Sequence, residues 1–149
     1  MEFSFNSDQL MIADTAETFL SAVSDSAAVR RTMATAAGFE EQLWQQITAE
    51  MGWQMTHIPE QFDGLGLGYV ELCILFERMG QNLLCAPFFS TAALGINALR
   101  LAGSDAQQAT AFRRIVEQGA RYSLAYSGAG RISGVDAVTA QYEMQGAAA

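Results

Sequence analysis

Apolar residues recur at three- and four-residue intervals through the first four fifths of the chain, a spacing that predicts helices. After "FSFNS", Ser7 is placed to cap a first helix, with Asp8 in the first turn where the helix dipole favours an anion. Leu10, Met11, Phe19, Leu20 and Val23 form its apolar face, and Phe5 and Met11 are spaced as a hydrophobic staple. A second helix spans about Asp25 to Ala37 and stops at Gly38. The third carries Leu43, Trp44, Ile47 and Met51 and ends at Gly52. The fourth runs from Tyr69 to Met79 on Val70, Cys73, Ile74 and the i,i+4 pair Leu72 and Phe76, with Glu77 and Arg78 toward water and Gly80 as its stop. Pro87 opens the fifth, at a position whose N–H has no helical partner anyway, and Phe89, Ala92, Ala93, Ile96, Leu99 and Arg100 carry it to Gly103. Ser104 and Gln107 read as a capping box for the sixth, which buries Phe112, Ile115 and Val116 and ends at Gly119.

Beyond Gly119 the period shortens to two. "RYSLAYS" alternates Tyr122, Leu124 and Tyr126, and "DAVTAQYEM" alternates Val138, Ala140, Tyr142 and Met144, so two strands are predicted around the glycine-rich "SGAGRISG". Two strands alone are marginal in water. The sequence therefore divides into a helical domain, residues 1–119, and a truncated beginning of a β-domain, residues 120–149.

Composition narrows the functional classes. Half of the 149 residues are hydrophobic and 16% are charged, which excludes disorder as the main state. The net charge is −8 and the chain contains no lysine, so phosphate-driven binding of nucleic acid is excluded. One histidine and two cysteines, Cys73 and Cys85, make no zinc set. Both cysteines stand among apolar residues and are read as buried, reduced thiols of a cytoplasmic protein. "MEFSFNSDQ" lacks the features of a signal peptide, and no apolar run reaches the length of a membrane span.

The stretch "THIPEQFDGLGLGYVEL" raises the question of a phosphate cradle. Such a loop needs a preceding strand, and in the Walker form a lysine; here a helix precedes it, and Gly66 and Gly68 are followed by Glu71 where the dinucleotide fingerprint needs glycine. The glycines are read instead as a sharp change of direction using positive φ, with Leu65 and Leu67 tucked inward. His57, at the entry to this loop, has no triad-like partner and is read as structural.

Taken in order, Leu43-Trp44, Gly52-Trp53, Ile58-Pro59-Glu60, Asp63-Gly64-Leu65-Gly66 and Glu77-Arg78 resemble the N-terminal helical domain of the acyl-CoA dehydrogenase family. "MEFSFNSDQLMIADTAETFL" is similar to the first helix of that family, and "AGSDAQQATAFRRIVEQG" to its segment leading into the middle β-domain. The resemblance implies a mainly α fold: a six-helix domain followed by two strands of an incomplete middle β-domain. It implies α,β-dehydrogenation of an acyl-CoA thioester in fatty acid metabolism, in which a base takes the α proton and FAD the β hydride. It also implies an electron acceptor and a homo- or hetero-oligomer. The base belongs to a C-terminal bundle with no counterpart here, so no catalytic residue is assigned; Glu60, Glu71 and Glu77 are read as turn or helix residues.

The family's helical domain walls the acyl pocket, and by resemblance Phe89, Ala92, Ala93 and Ile96 take that place. The bland reading of each is core packing. Where the family carries Thr-Glu-Pro before a glycine-rich turn that touches flavin, this chain has Ala125, Tyr126 and Ser127 before Gly128; Tyr126 and Ser127 are the implied flavin contacts, Ser127 offering a hydroxyl. That departure keeps a second reading open, a non-redox helical module that binds a partner protein or an acyl chain.

Overall fold

The computed structural model describes residues 4–125. Among them six α-helices follow in order: α1 Ser7–Val23, α2 Ser26–Met33, α3 Glu41–Gln45, α4 Tyr69–Gln81, α5 Asn97–Ala102 and α6 Asp105–Gln118. Two of them adjoin wide-turn π segments: α3 runs on into Gln46–Glu50, and α5 is preceded by Phe89–Ile96. The mainly helical expectation holds. Of the two predicted strands, residues 121–125 have no regular structure, and the remainder lies outside the described residues.

The first cap sits one residue earlier than the sequence indicates. Asn6, not Ser7, accepts from the Gln9 N–H at 2.8 Å, while the Gln9 side chain accepts from the Asn6 N–H at 3.1 Å. The amide of Asn6 supplies the acceptor that a capping box needs, and Gln9 stands three residues on. That choice also sets the helix face. Ala13, Ala16 and Leu20 go inward, and Leu10, Met11 and Phe5 are exposed. The Ser104–Gln107 box and the left-handed Gly119 stop are as predicted. α2 ends at Met33, four residues short of the predicted end. Gly80 lies inside α4, whose cap is Asn82.

α1 and α4 pack lengthwise, and the main core fills the space beneath them. Ala16 and Leu20 meet Leu72, Leu75 and Met79 of α4, together with Trp44, Ile47, Phe88 and Ala92. A smaller core under α6 holds Ile58, Ile96, Phe112 and Ile115. α4 buries Leu72, Ile74, Leu75 and Met79, which leaves Val70, Cys73 and Glu77 on the opposite face. Cys73 is therefore exposed and Cys85 half-buried, contrary to the expectation that both thiols are covered. An apolar neighbour in sequence lies about 100° away on a helix, so it does not carry the cysteine inside.

The glycine stretch is a tight backbone-to-backbone fold. The N–H groups of Leu65, Gly66 and Leu67 donate to the carbonyls of Met55, Ile58 and Thr56. At Gly64 the chain passes so close to Ile58 that an added Cβ would lie 2.1 Å from its carbonyl oxygen. Of Gly64, Gly66 and Gly68, only Gly66 has positive φ, joined by Asp63. Leu65 and Leu67 are 45% and 37% exposed, so they do not tuck inward; their backbone, not their side chains, makes the turn.

Candidate functional site

Three concave regions border the α5 helix and the π segment before it. The first is a cavity of about 240 Å³ between the end of α4 and the start of the π segment, walled by Phe76, Met79, Leu83, Leu84, Phe88 and Phe89. Phe76 meets Phe88 and Phe89 edge-on, with ring centroids 5.4 and 5.7 Å apart, a favourable arrangement of aromatic quadrupoles. Leu83, at φ 50°, is 68% exposed.

The four sequence-predicted pocket residues separate by depth. Phe89 is 59% exposed and lines the 240 Å³ cavity; Ala93 is half-buried. Ala92 and Ile96 are fully covered, Ala92 in the main core and Ile96 in the smaller one. The wide turns from Phe89 to Ile96 bring Thr91, Ala92, Gly95 and Ile96 to the inner face. Tyr126 and Ser127 lie outside the described residues.

The second region is a cleft of about 570 Å³ between α5 and α6, floored by small residues: Gly95, Ala98, Ala102, Gly103 and Ala106. Tyr122 and Ser123 close one end. Gly95 is needed there, because a Cβ would meet the Tyr122 Cβ at 2.5 Å. The Tyr122 N–H donates to Thr91 Oγ1 at 3.2 Å, which seats the chain leaving α6 against the π segment.

The third, about 460 Å³, lies between α5 and the glycine loop, lined by His57, Pro59, Glu60, Gly66 and Arg100 among others. His57 is 2% exposed, and neither ring nitrogen has a hydrogen-bond partner. Its pKa is lowered to about 4, by burial first and then by the charge of Arg100. Asn97 and the Ala92 carbonyl lie close enough to favour the proton, though neither reaches hydrogen-bond geometry with the ring. The neutral imidazole is therefore the state at neutral pH. Arg100 stands over the Tyr69 ring at 5.9 Å, and the Tyr69 hydroxyl donates to Asn97 Oδ1 at 2.9 Å. Sequence reading missed this group because its members come from three separated segments; the lone histidine beside Ile58-Pro59 was its one visible sign.

Glu71 has a structural part. Its carboxylate accepts from Gln9 Nε2 at 2.7 Å and from the Gly68 N–H at 2.9 Å, tying α1 to the start of α4. Those hydrogen bonds, the one from Gln9 foremost, hold its pKa below the usual carboxylate range. Glu60 and Glu77 are exposed. Among the described residues no cluster of three metal-ligating side chains occurs, and no helix is long and apolar enough to cross a membrane.

The chain is 28% identical over 103 residues to acyl-CoA dehydrogenase IpdE2 of Mycobacterium tuberculosis, which covers 69% of this chain and 32% of that protein. It thus spans about a third of the length of that relative. It superposes on a chain of the ChsE4-ChsE5 complex from Mycobacterium tuberculosis with a TM-score of 0.77 at 21% identity, over 89% of this chain and 36% of the other. A chain described as an electron transferring flavoprotein of Acidaminococcus fermentans gives a TM-score of 0.75 at 20% identity, over 95% and 36%. Likeness at these identities establishes the fold. Residues 6–119 match the family described as acyl-CoA dehydrogenase, N-terminal domain. With more than half of its length in that match, the chain belongs to the acyl-CoA dehydrogenase family and carries its N-terminal helical domain.

Proposed function

We propose that this chain is the N-terminal portion of an FAD-dependent acyl-CoA dehydrogenase, that it lines the acyl pocket of the whole enzyme, and that alone it performs no dehydrogenation. The observation that carries the reading is the family match over residues 6–119 in a chain whose match covers 32% of its relative. In this reading residues 1–119 are the helical domain, and 120–149 begin the middle β-domain. The complete enzyme takes an acyl-CoA thioester and an electron acceptor and works in fatty acid metabolism in the cytoplasm.

The part played by these residues is physical. Exposed Phe89 and half-buried Ala93 offer an acyl tail apolar contact that excludes water, and Ala92 and Ile96 set the wall from behind. FAD, when bound, accepts the hydride. The 570 Å³ cleft beside Tyr122 and Ser123 is lined mostly by small and apolar residues, a surface suited to the apolar part of a flavin. Tyr126 and Ser127 remain the proposed flavin contacts, with the pyrophosphate held by other parts of the enzyme. Leu101 at 83% exposure, with Leu10, Met11 and Leu65, leaves apolar surface for those parts or for a homo- or hetero-oligomeric partner.

The test is an assay of the purified 149-residue chain with acyl-CoA and an artificial electron acceptor. No turnover is expected, and turnover would refute the reading. Sequencing the gene beyond Ala149 completes it: the frame should continue into a β-barrel and a glutamate-bearing helical bundle. A stop directly after Ala149 would favour the non-redox helical module.

A further inference from the structure

The wide-turn segment Phe89–Ile96 carries two sets of residues. Exposed Phe89 and half-buried Ala93 belong to the proposed acyl wall, and Thr91 and Gly95 lie on the inner face. Both inner residues meet the chain that leaves α6. Thr91 is 0% exposed, and its Oγ1 accepts from the Tyr122 N–H at 3.2 Å. One turn on, a Cβ at Gly95 would lie 2.5 Å from the Tyr122 Cβ and 3.1 Å from its carbonyl carbon, so the two backbones pass in direct contact. Residues 121–125 have no regular structure, and between Arg121 and Ala125 the Tyr122 N–H is the one backbone donor with a partner among the described residues. The chain just before it takes its position from elsewhere. Gly119 is held by Trp44 and Arg121 by Glu41, both on α3. Tyr122 is therefore the first residue after α6 whose backbone is referenced to the wide-turn segment. Wide turns of this kind occur often at functional sites.

We propose that Thr91 is a positioning residue: its hydroxyl aligns the chain that runs from Tyr122 toward Tyr126 and Ser127 with the acyl wall, so that an acyl tail seated on the wall is felt at the Tyr122 backbone. The inference rests on the reading of Phe89 and Ala93 as that wall and of Tyr126 and Ser127 as flavin contacts. A segment that shifts to take an acyl tail carries Thr91 with it, and Thr91 carries the Tyr122 N–H. Threonine suits the task. Its branched Cβ is stiff about χ1, which fixes the hydroxyl, and burial keeps water from replacing the acceptor. Reacting groups held about an ångström out of place lose about a hundredfold in rate, so one shared reference for the two contact surfaces has chemical value.

The test follows backbone amides of the isotope-labelled 149-residue chain by NMR. In the free chain the Tyr122 amide should exchange with solvent about tenfold more slowly than those of Ser123 and Leu124. Thr91→Val keeps the shape and removes the acceptor, and should abolish that difference. Thr91→Ser keeps the hydroxyl and should restore it. The amides of Phe112 and Ile115 in α6 should keep their protection in both variants, which separates a lost contact from general loosening. Octanoyl-CoA should shift the Phe89 and Ala93 amides and, with the same saturation, that of Tyr122. The Tyr122 response should vanish in Thr91→Val and persist in Thr91→Ser. A parent Tyr122 amide that exchanges as fast as Ser123 overturns the proposal with no variant and no ligand needed. So does a wall response without one at Tyr122, or a Tyr122 response that survives Thr91→Val. Silence at Phe89 and Ala93 would sink the acyl-wall reading and the alignment with it, and a Tyr122 amide still protected would separate that failure from a broken Thr91 contact.

Discussion

The indole N–H of Trp44 donates to the carbonyl of Gly119 at 2.7 Å, across 75 positions of sequence. Trp44 is buried in the main core, and Gly119 is the left-handed stop of α6. The bond fixes where the last helix ends relative to α3. Two residues on, Arg121 pairs with Glu41 at 2.6 Å and stands over the Phe39 ring at 4.9 Å. The polypeptide therefore leaves the helical domain from a defined point.

Trp44→Phe keeps an aromatic ring in the core and removes the donor. It should destabilise the domain by about 1–2 kcal/mol, the cost of a partly buried acceptor left unmet plus lost packing. Arg121→Ala should cost less, about 0.5 kcal/mol, because both partners of that ion pair are largely exposed. Urea unfolding of the two variants measures the contrast. A Trp44→Phe midpoint equal to that of the parent would show that the indole bond contributes nothing.

Two glycine-to-alanine changes should have opposite signs. At Gly64 an added methyl would sit 2.1 Å from the Ile58 carbonyl oxygen, so the backbone must move, at about 3 kcal/mol. At Gly80, inside α4, nothing lies within 4 Å, and alanine should stabilise by about 0.5–1 kcal/mol. Thermal melts of both proteins should bracket the parent, and a melt of Gly64→Ala at or above the parent temperature refutes the close approach.

Acid should unfold the domain in a window set by His57. Its pKa is about 4 in the folded chain against an ordinary 6.5. Depression of the folded value means the contribution is complete above pH 6.5 and is lost as pH falls toward 4. The loss is roughly 3 kcal/mol at its limit. Stability followed from pH 7 to 4 should fall through this window, and His57→Gln should flatten that part of the profile. A parent profile already flat between pH 6.5 and 4 would contradict the buried neutral imidazole.

Glu71 acts lower on the scale. Its folded pKa is depressed, so its contribution is present above the ordinary carboxylate range and disappears as pH falls through the folded value. Glu71→Ala should also remove the link to Gln9 and the cap on Gly68, costing about 1 kcal/mol. A Gln9→Ala variant that behaves the same way, with the double variant no worse than either, would identify the pair as one unit.

The helices were legible because each element's local signals agree: a polar cap, an apolar stripe and a glycine stop at Ser104, Phe112 and Gly119 point to one answer. Faces were read less well. Cys73 and Val70 follow the helical count as well as Leu72 and Leu75 do, and only the packing of α1 on α4 decides which pair is covered. Leu65 and Leu67 look buried by hydropathy, yet the bonds that make their turn belong to the backbone of residues 55–58. Ala92 and Ile96 were indistinguishable in sequence from Phe89 and Ala93 because the wide turns before α5 break the regular count. The His57–Arg100 cavity joins residues far apart in sequence, and no periodicity carries that information.

Those wide turns have a consequence for every position after them. Each holds more residues than an α-turn, so the angular heading of Asn97 and Arg100 depends on the surplus being kept. Deleting one residue between Phe89 and Ile96 would swing the downstream helix by about 100°. Such a shortened chain could stay folded and still point Arg100 away from His57, so the length of this stretch, as much as its composition, selects what α5 presents to its surroundings.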